Sequence, residues 1–135
     1  MIINPYLMFN GRCREAMSFY QSVFGGELTL MRVDETPCAD QFPEELRTAV
    51  MHSQLKGEGF VFMATDLASP ESPDLGKNPR VAIGCDSEEE ARRIFAAIAE
   101  NGTVGFDLGP AFWGGLYGEI LDPFGVNWML TYTPS

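Results

Sequence analysis

Apolar positions along the chain alternate between two periods, and each change of period marks the edge of an element. Residues 12–24 carry Ala16, Phe19, Tyr20 and Val23 at i, i+3, i+4 and i+7, the spacing of one buried helical stripe. Residues 88–100 repeat that pattern with Ala91, Ile94, Phe95 and Ile98. Around these helices, shorter runs predict strands over 4–10, 27–33, 47–55, 59–65, 80–85, 103–108, 113–121 and 126–133. Leu28 and Leu30, with Arg32, fall on one face of the second strand. The unbroken apolar run from Phe60 to Met63 reads as a strand buried on both faces.

Punctuation supports this division. Gly11 breaks the first strand, Gly25-Gly26 stops the first helix, and Asn101-Gly102 stops the second. Ser87 is the predicted cap of the second helix, with Glu90 three residues later completing a capping box. Glu88 and Glu89 favour the same positive helix end. Asp34 to Leu46, with Pro37, Pro43 and several acids, is predicted as a loop long enough for a lid or a disordered crossing. Residues 67–79 hold Pro70, Pro73 and Pro79 without periodicity, which predicts a linker.

The order β-α-β-β-β therefore occurs twice. Asn4-Pro5 opens the first copy and Asn78-Pro79 the second. Glu15-Ala16 then Phe19 is echoed by Glu90-Ala91 then Phe95. Each copy ends in a hairpin, turning at Lys56-Gly57-Glu58-Gly59 and at Asp122-Pro123-Phe124-Gly125. One helix cannot cover a whole sheet, so the expected fold is α+β. It has two tandem modules, 1–66 and 79–135, joined by a linker at 67–78. Their sheets are expected to curve around a cleft, with the helices outside and a small-molecule pocket between the modules.

Bulk properties narrow the function classes. The chain has 135 residues, enough for a single compact domain. Nine basic against nineteen acidic residues give a net charge of −10, which repels nucleic acid. The acid concentrates at Asp34 to Glu45 and Asp86 to Glu90 and reads as solvated surface. No apolar run approaches a membrane span, and the N-terminus lacks a signal pattern, so the expectation is a cytoplasmic protein with no membrane partner. Three scattered cysteines, Cys13, Cys38 and Cys85, fit a reducing compartment and form neither a disulfide framework nor a metal cluster. Cys13 lies in the first turn of its helix with no evident histidine partner and reads as structural.

Several segments together resemble a known family. They are Tyr6-Leu7-Met8-Phe9 with Gly11, Glu15-Ala16, Phe19-Tyr20, Phe24-Gly25-Gly26-Glu27 and Met51-His52. Phe112-Trp113-Gly114, Tyr117-Gly118 and Asp122-Pro123-Phe124-Gly125-Val126 with Trp128 complete the set. In order and spacing they are similar to the PhnB-like branch of the vicinal oxygen chelate superfamily, which includes glyoxalases, bleomycin resistance proteins and extradiol dioxygenases. The resemblance covers nearly the whole chain. It implies paired βαβββ modules, usually assembled as a homodimer. In that superfamily, His, Gln or Glu on the first strand of each module and on the last strand hold a divalent metal. Those places fall near Pro5, Arg80 and Met129 here. None can replace an imidazole or carboxylate, and Arg80 repels a cation. The usual metal is therefore expected to be absent.

His52 is the only histidine. Counting back across the first turn sets it opposite Met63, with Gln54 two residues along on the same face. The same count in the second hairpin sets Gly118 opposite Met129 and puts Glu119 on the other face, beside Trp128. Trp113 and Tyr117, four apart on one strand, share a face as an aromatic wall. Gly114-Gly115 and Gly118 point to a bulge or a close backbone approach there. The candidate catalytic residue is His52. The candidate ligand-binding residues are Gln54, Met63, Trp113, Tyr117, Glu119 and Met129. The competing readings are a core or solvent-facing histidine, aromatic core packing, and an exposed Glu119. A metal-free small-molecule binder is the expected function. The alternative is a lyase, isomerase or dioxygenase-type enzyme, either metal-dependent or using His52 as base. The residues leave open whether any reaction is catalysed.

Overall fold

A computed structural model of the chain describes residues 1–67 and 79–135. The chain divides into two compact units, Met1–Pro73 and Asp74–Ser135. The first contains β1 (Tyr6–Met8), α1 (Cys13–Phe24), β2 (Glu27–Arg32), β3 (Val50–Gly57) and β4 (Phe60–Thr65). The second contains β5 (Val81–Cys85), α2 (Glu88–Ala99), β6 (Thr103–Pro110), β7 (Leu116–Leu121) and β8 (Asn127–Tyr132). The sheet orders are β1-β4-β3-β2 and β5-β8-β7-β6, so both units have one topology. In each sheet the first strand runs parallel to the last, and the other pairs are antiparallel. The α+β class and the tandem βαβββ order stand as the periodicity predicts. Most of the predicted linker lies outside the described residues.

Each helix closes one face of its sheet. α1 buries Cys13, Ala16, Met17, Tyr20 and Val23, and β3 and β4 contribute Ser53, Leu55, Phe62 and Ala64. Phe19, expected in that stripe, sits half-buried at its edge, and Met17 takes its place. α2 buries Ala91, Ile94, Phe95 and Ile98, as its spacing predicts, while Leu116, Ile120, Trp128 and Leu130 are the buried residues of β7 and β8. Gly118 lets this packing close: a Cβ there would lie 2.9 Å from the Phe95 ring and 3.0 Å from the Leu108 Cα. Of the close approach expected at Gly114-Gly115, Gly115 shows it, since a Cβ there would overlap the Tyr132 carbonyl, whereas a Cβ on Gly114 would meet nothing within 4 Å. The register irregularities, however, lie in the neighbouring strand β6.

The two helix starts are secured differently. Ser87 Oγ accepts from the Glu90 N–H at 3.1 Å, and the Glu90 carboxylate accepts from Asp86, one residue ahead of the cap. α1 has no local side-chain cap. Instead Asp66, just after β4, accepts from the Gly11 and Cys13 N–H groups at 2.9 Å and from Val50 at 3.1 Å. That carboxylate satisfies an orphan helix donor from a distant point in sequence and ties α1 to the start of β3.

Two further expectations change. The Asp34–Leu46 stretch is a chain of three short 3-10 turns, Val33–Glu35, Ala39–Gln41 and Glu44–Leu46, anchored by fully buried Val33. The Phe60–Met63 run is fully buried on one face only, through Phe62. Val61 and Met63 are half-buried on the other, because the unit's single helix covers one side. Among the described residues no helix is long and apolar enough to cross a membrane.

Candidate functional site

Turn chemistry decides which side chains meet. The first hairpin turns at Glu58-Gly59, with Gly59 at φ 84°, and Gly57 pairs with Phe60. Gln54 therefore faces Met63, and the expected pairing of His52 with Met63 is two residues out. A slip of two preserves side-chain parity, so His52, Gln54 and Met63 still share the face away from α1. β2 adds Met31 opposite His52, and β1 places Tyr6 beside Met63. The Tyr6 hydroxyl lies 3.3 Å from His52 Nδ1, with ring centroids 5.9 Å apart. Tyr6, Met8 and Met31 are exposed, at 45, 56 and 40 %. This open face thus combines thioethers, an imidazole, a phenol and an amide with Thr29 opposite Gln54 and, toward the hairpin, Glu27 opposite Lys56.

The second hairpin has one residue more in its connection. Asp122 N–H donates to the Val126 carbonyl at 2.9 Å, and Gly125 adopts φ 96°, a three-residue loop closed by a left-handed position. Glu119 therefore faces Met129, and Gly118 faces Leu130. The expected placement of Glu119 beside Trp128 is wrong, since a slip of one residue reverses every side chain. Trp128 is 2 % exposed on the helix side, while Glu119, Tyr117 and Met129 share the open face. The two units thus match position for position: Gln54 against Met63 in one, Glu119 against Met129 in the other.

Charge and aromatic rings gather at Glu119. Its carboxylate pairs with the Arg80 guanidinium just before β5, with side chains 25 and 40 % exposed. Burial and the neighbouring Glu119 carboxylate raise the Tyr117 phenol above its ordinary pKa. Trp113 does not lie on the strand of Tyr117, as expected, but in the turn before β7, where Gly114 takes φ 95°. It still meets Tyr117 edge-on at 6.2 Å, and Phe106 meets Tyr117 from the other strand at 5.8 Å. On the edge strand β5 the open face carries only Ala82 and Gly84, both exposed beside Met129 and Thr131. A separate depression lined by Arg92, Phe95, Ala96, Asp107 and Leu108 lies between α2 and β6 and shares none of these residues.

Tyr6 and Arg80 are the partners that sequence reasoning missed as site residues. Both flank or occupy edge strands whose parallel pairing is formed across more than 45 residues of chain. Neither contact leaves a local signal.

Comparison with known proteins fits this architecture. Residues 2–130 match the model of the Glyoxalase/Bleomycin resistance protein/Dioxygenase superfamily. The chain belongs to that superfamily. Protein YjdN of Escherichia coli is 29% identical over 96% of this chain and 94% of its own. Protein PA1353 from Pseudomonas aeruginosa superposes with a TM-score of 0.87 at 37% identity, covering 100% of this chain and 99% of that one. The PhnB protein from Bacillus cereus superposes at 0.77 with 26% identity, covering 98 and 100%. The PhnB-like character read from the motifs stands with these relatives.

The superfamily implies a divalent metal, and the three positions expected to hold it, Pro5, Arg80 and Met129, carry no imidazole or carboxylate. Arg80 presents a fixed positive charge that is already paired with Glu119. Pro5 offers no donor, and Met129 only a weak thioether. Among the described residues no three His, Cys, Asp or Glu side chains are placed to share an ion. Cys13 is buried against Ser53 Oγ at 3.3 Å, and burial pushes its thiol up to about 11, far from a reactive thiolate.

Proposed function

We propose that this superfamily member binds a small organic molecule on the open sheet faces of its modules, without a divalent metal. The observation that carries the reading is the Arg80–Glu119 pair, an internal cation on a carboxylate of the second open face. Around it, the ligand-competent side chains sort to one side of each sheet. His52, Gln54, Met63, Tyr117, Glu119 and Met129 are half-buried on the faces away from the helices, while the helix sides are closed apolar core. Half-buried polar groups beside aromatic and thioether side chains are what an organic ligand needs for orientation and apolar contact. In this proposal residues 1–66 and 79–135 are modules of one domain. The protein works as a homodimer in the cytoplasm, in keeping with its superfamily and its unpatterned free cysteines.

The test is a metabolite screen by thermal shift, run on protein purified without chelator and repeated after chelation. A ligand at one hundred times its Kd adds about 2.7 kcal/mol of stability. That shift should survive chelation and shrink in H52A and E119Q. Stoichiometric metal in the purified protein, or ligand shifts that vanish on chelation, would refute the metal-free reading.

A further inference from the structure

We propose that Tyr6 fixes the tautomer of neutral His52, with the ring proton on Nε2, so that this open face recognises an acceptor oxygen, a carbonyl or carboxylate, on its ligand. The inference deepens the binding reading above and rests on it for the ligand class, but not for the state of the imidazole. Tyr6 Oη lies 3.3 Å from Nδ1, and β1 pairs with β4 so that Tyr6 stands on the same face as His52. Of the two directions for that hydrogen bond, phenol to imidazole is the stronger. A phenol is a good donor and a poor acceptor, because its lone pairs delocalise into the ring. The imidazole lone pair is the most basic neutral acceptor in the side-chain inventory. With Nδ1 accepting, the ring proton of neutral His52 must sit on Nε2.

Three consequences follow. Nε2–H is a donor and seeks an oxygen. Neither ring nitrogen keeps a free lone pair for a metal while the Tyr6 bond holds. With Nδ1 committed to the Tyr6 hydroxyl, the ring does not reach a substrate proton directly while that bond holds. Gln54, two residues along on the same strand face, brings an amide that can donate to a second acceptor of the ligand.

Because His52 is the only histidine, its ring signals need no assignment strategy. Protein carrying 15N-histidine is examined by NMR at about pH 8.5, above the ordinary imidazole range. The expected result is a pyrrole-type Nε2 and a pyridine-type Nδ1 displaced by its hydrogen bond. In Y6F that displacement should disappear, while the backbone spectrum is retained. A protonated Nδ1 in the wild type, or identical ring shifts in Y6F, overturns the role of Tyr6. Acetophenone, benzoate and benzylamine are then titrated as probes. The two oxygen acceptors should shift the Nε2–H signal, and their affinity should fall about tenfold in H52F. Benzylamine should leave Nε2 unmoved. A preference for benzylamine, or unchanged affinities in H52F, overturns the ligand class. Silence from all three probes counts against small-molecule binding itself and takes the ligand class with it. The tautomer is judged on the ligand-free spectra alone.

Discussion

Asp122 is the residue through which the second hairpin sets its register, and its removal should be costly by a calculable route. The residue is 3 % exposed. One oxygen accepts from the Phe124 and Val126 N–H groups, both at 2.9 Å, and the other from Trp128 Nε1 at 2.8 Å. Hydrogen bonds to a charged group are worth about 1.5–3 kcal/mol each, and a buried orphan donor costs about 1–3 kcal/mol. The three bonds share one acceptor and do not add. D122A should therefore lose about 3–5 kcal/mol, chiefly through the lost bond to the buried Trp128 indole, because water can reach the part-buried turn amides. D122N keeps the shape but has only one carbonyl oxygen. If that oxygen serves the turn, the amide turns its N–H groups toward the indole N–H, a donor facing a donor, and the cost is about 2 kcal/mol.

The assay is urea unfolding followed by tryptophan fluorescence, on wild type, D122A, D122N and each combined with W128F. Thermal melting is the second readout: at roughly 3–5 °C per kcal/mol for a chain of this size, D122A should melt about 10–25 °C lower. W128F removes the indole donor that Asp122 receives, so the D122N and W128F effects should be less than additive by about 1–2 kcal/mol. Full additivity, or D122A within about 1 kcal/mol of wild type, would show that the carboxylate does not organise this turn.

Other expectations follow from single contacts. G118A should destabilise by about 1–3 kcal/mol, because the new methyl meets Phe95 and the Leu108 backbone, whereas G84A, with nothing within 4 Å, should change urea stability by no more than about 0.5 kcal/mol. Burial raises the thiols of Cys13 and Cys85 from 9.0 to about 11, so the unfolded chain releases those protons first. Stability from these groups is thus complete below about pH 9 and falls as pH rises through about 11, by about 2–3 kcal/mol per thiol, a slope that C13A should reduce. At neutral pH a thiol reagent should label Cys38 and spare the two buried cysteines until the protein unfolds. E119Q should move the Tyr117 phenol downward in an absorbance titration, with Y117F assigning the signal. The movement should be partial, because burial is the larger cause of the upward shift, and no movement would separate the two residues.

Much of the architecture was legible in the chain, and the misses have physical causes. The α2 stripe was read residue for residue because an amphipathic helix needs only local spacing. Phe19 was misplaced because two adjacent apolar positions, Met17 and Phe19, compete for one groove and packing chooses between them. His52, Gln54 and Met63 were grouped correctly from a wrong pairing, because an error of two residues leaves parity intact. Glu119 was put on the wrong face by an error of one, since the sequence does not announce that Asp122 would draw in both Val126 and Trp128. The Arg80–Glu119 and Tyr6–His52 contacts were not legible at all.

By itself the sequence determined the order of elements, the duplication, and the helix stripes, because these follow from periods and breakers that act within a few residues. Tertiary structure alone decided which polar groups meet on the open faces. A strand presents alternate residues to opposite sides, so one residue more in a turn, or one parallel pairing across a long stretch of chain, exchanges the site's side chains for the core's.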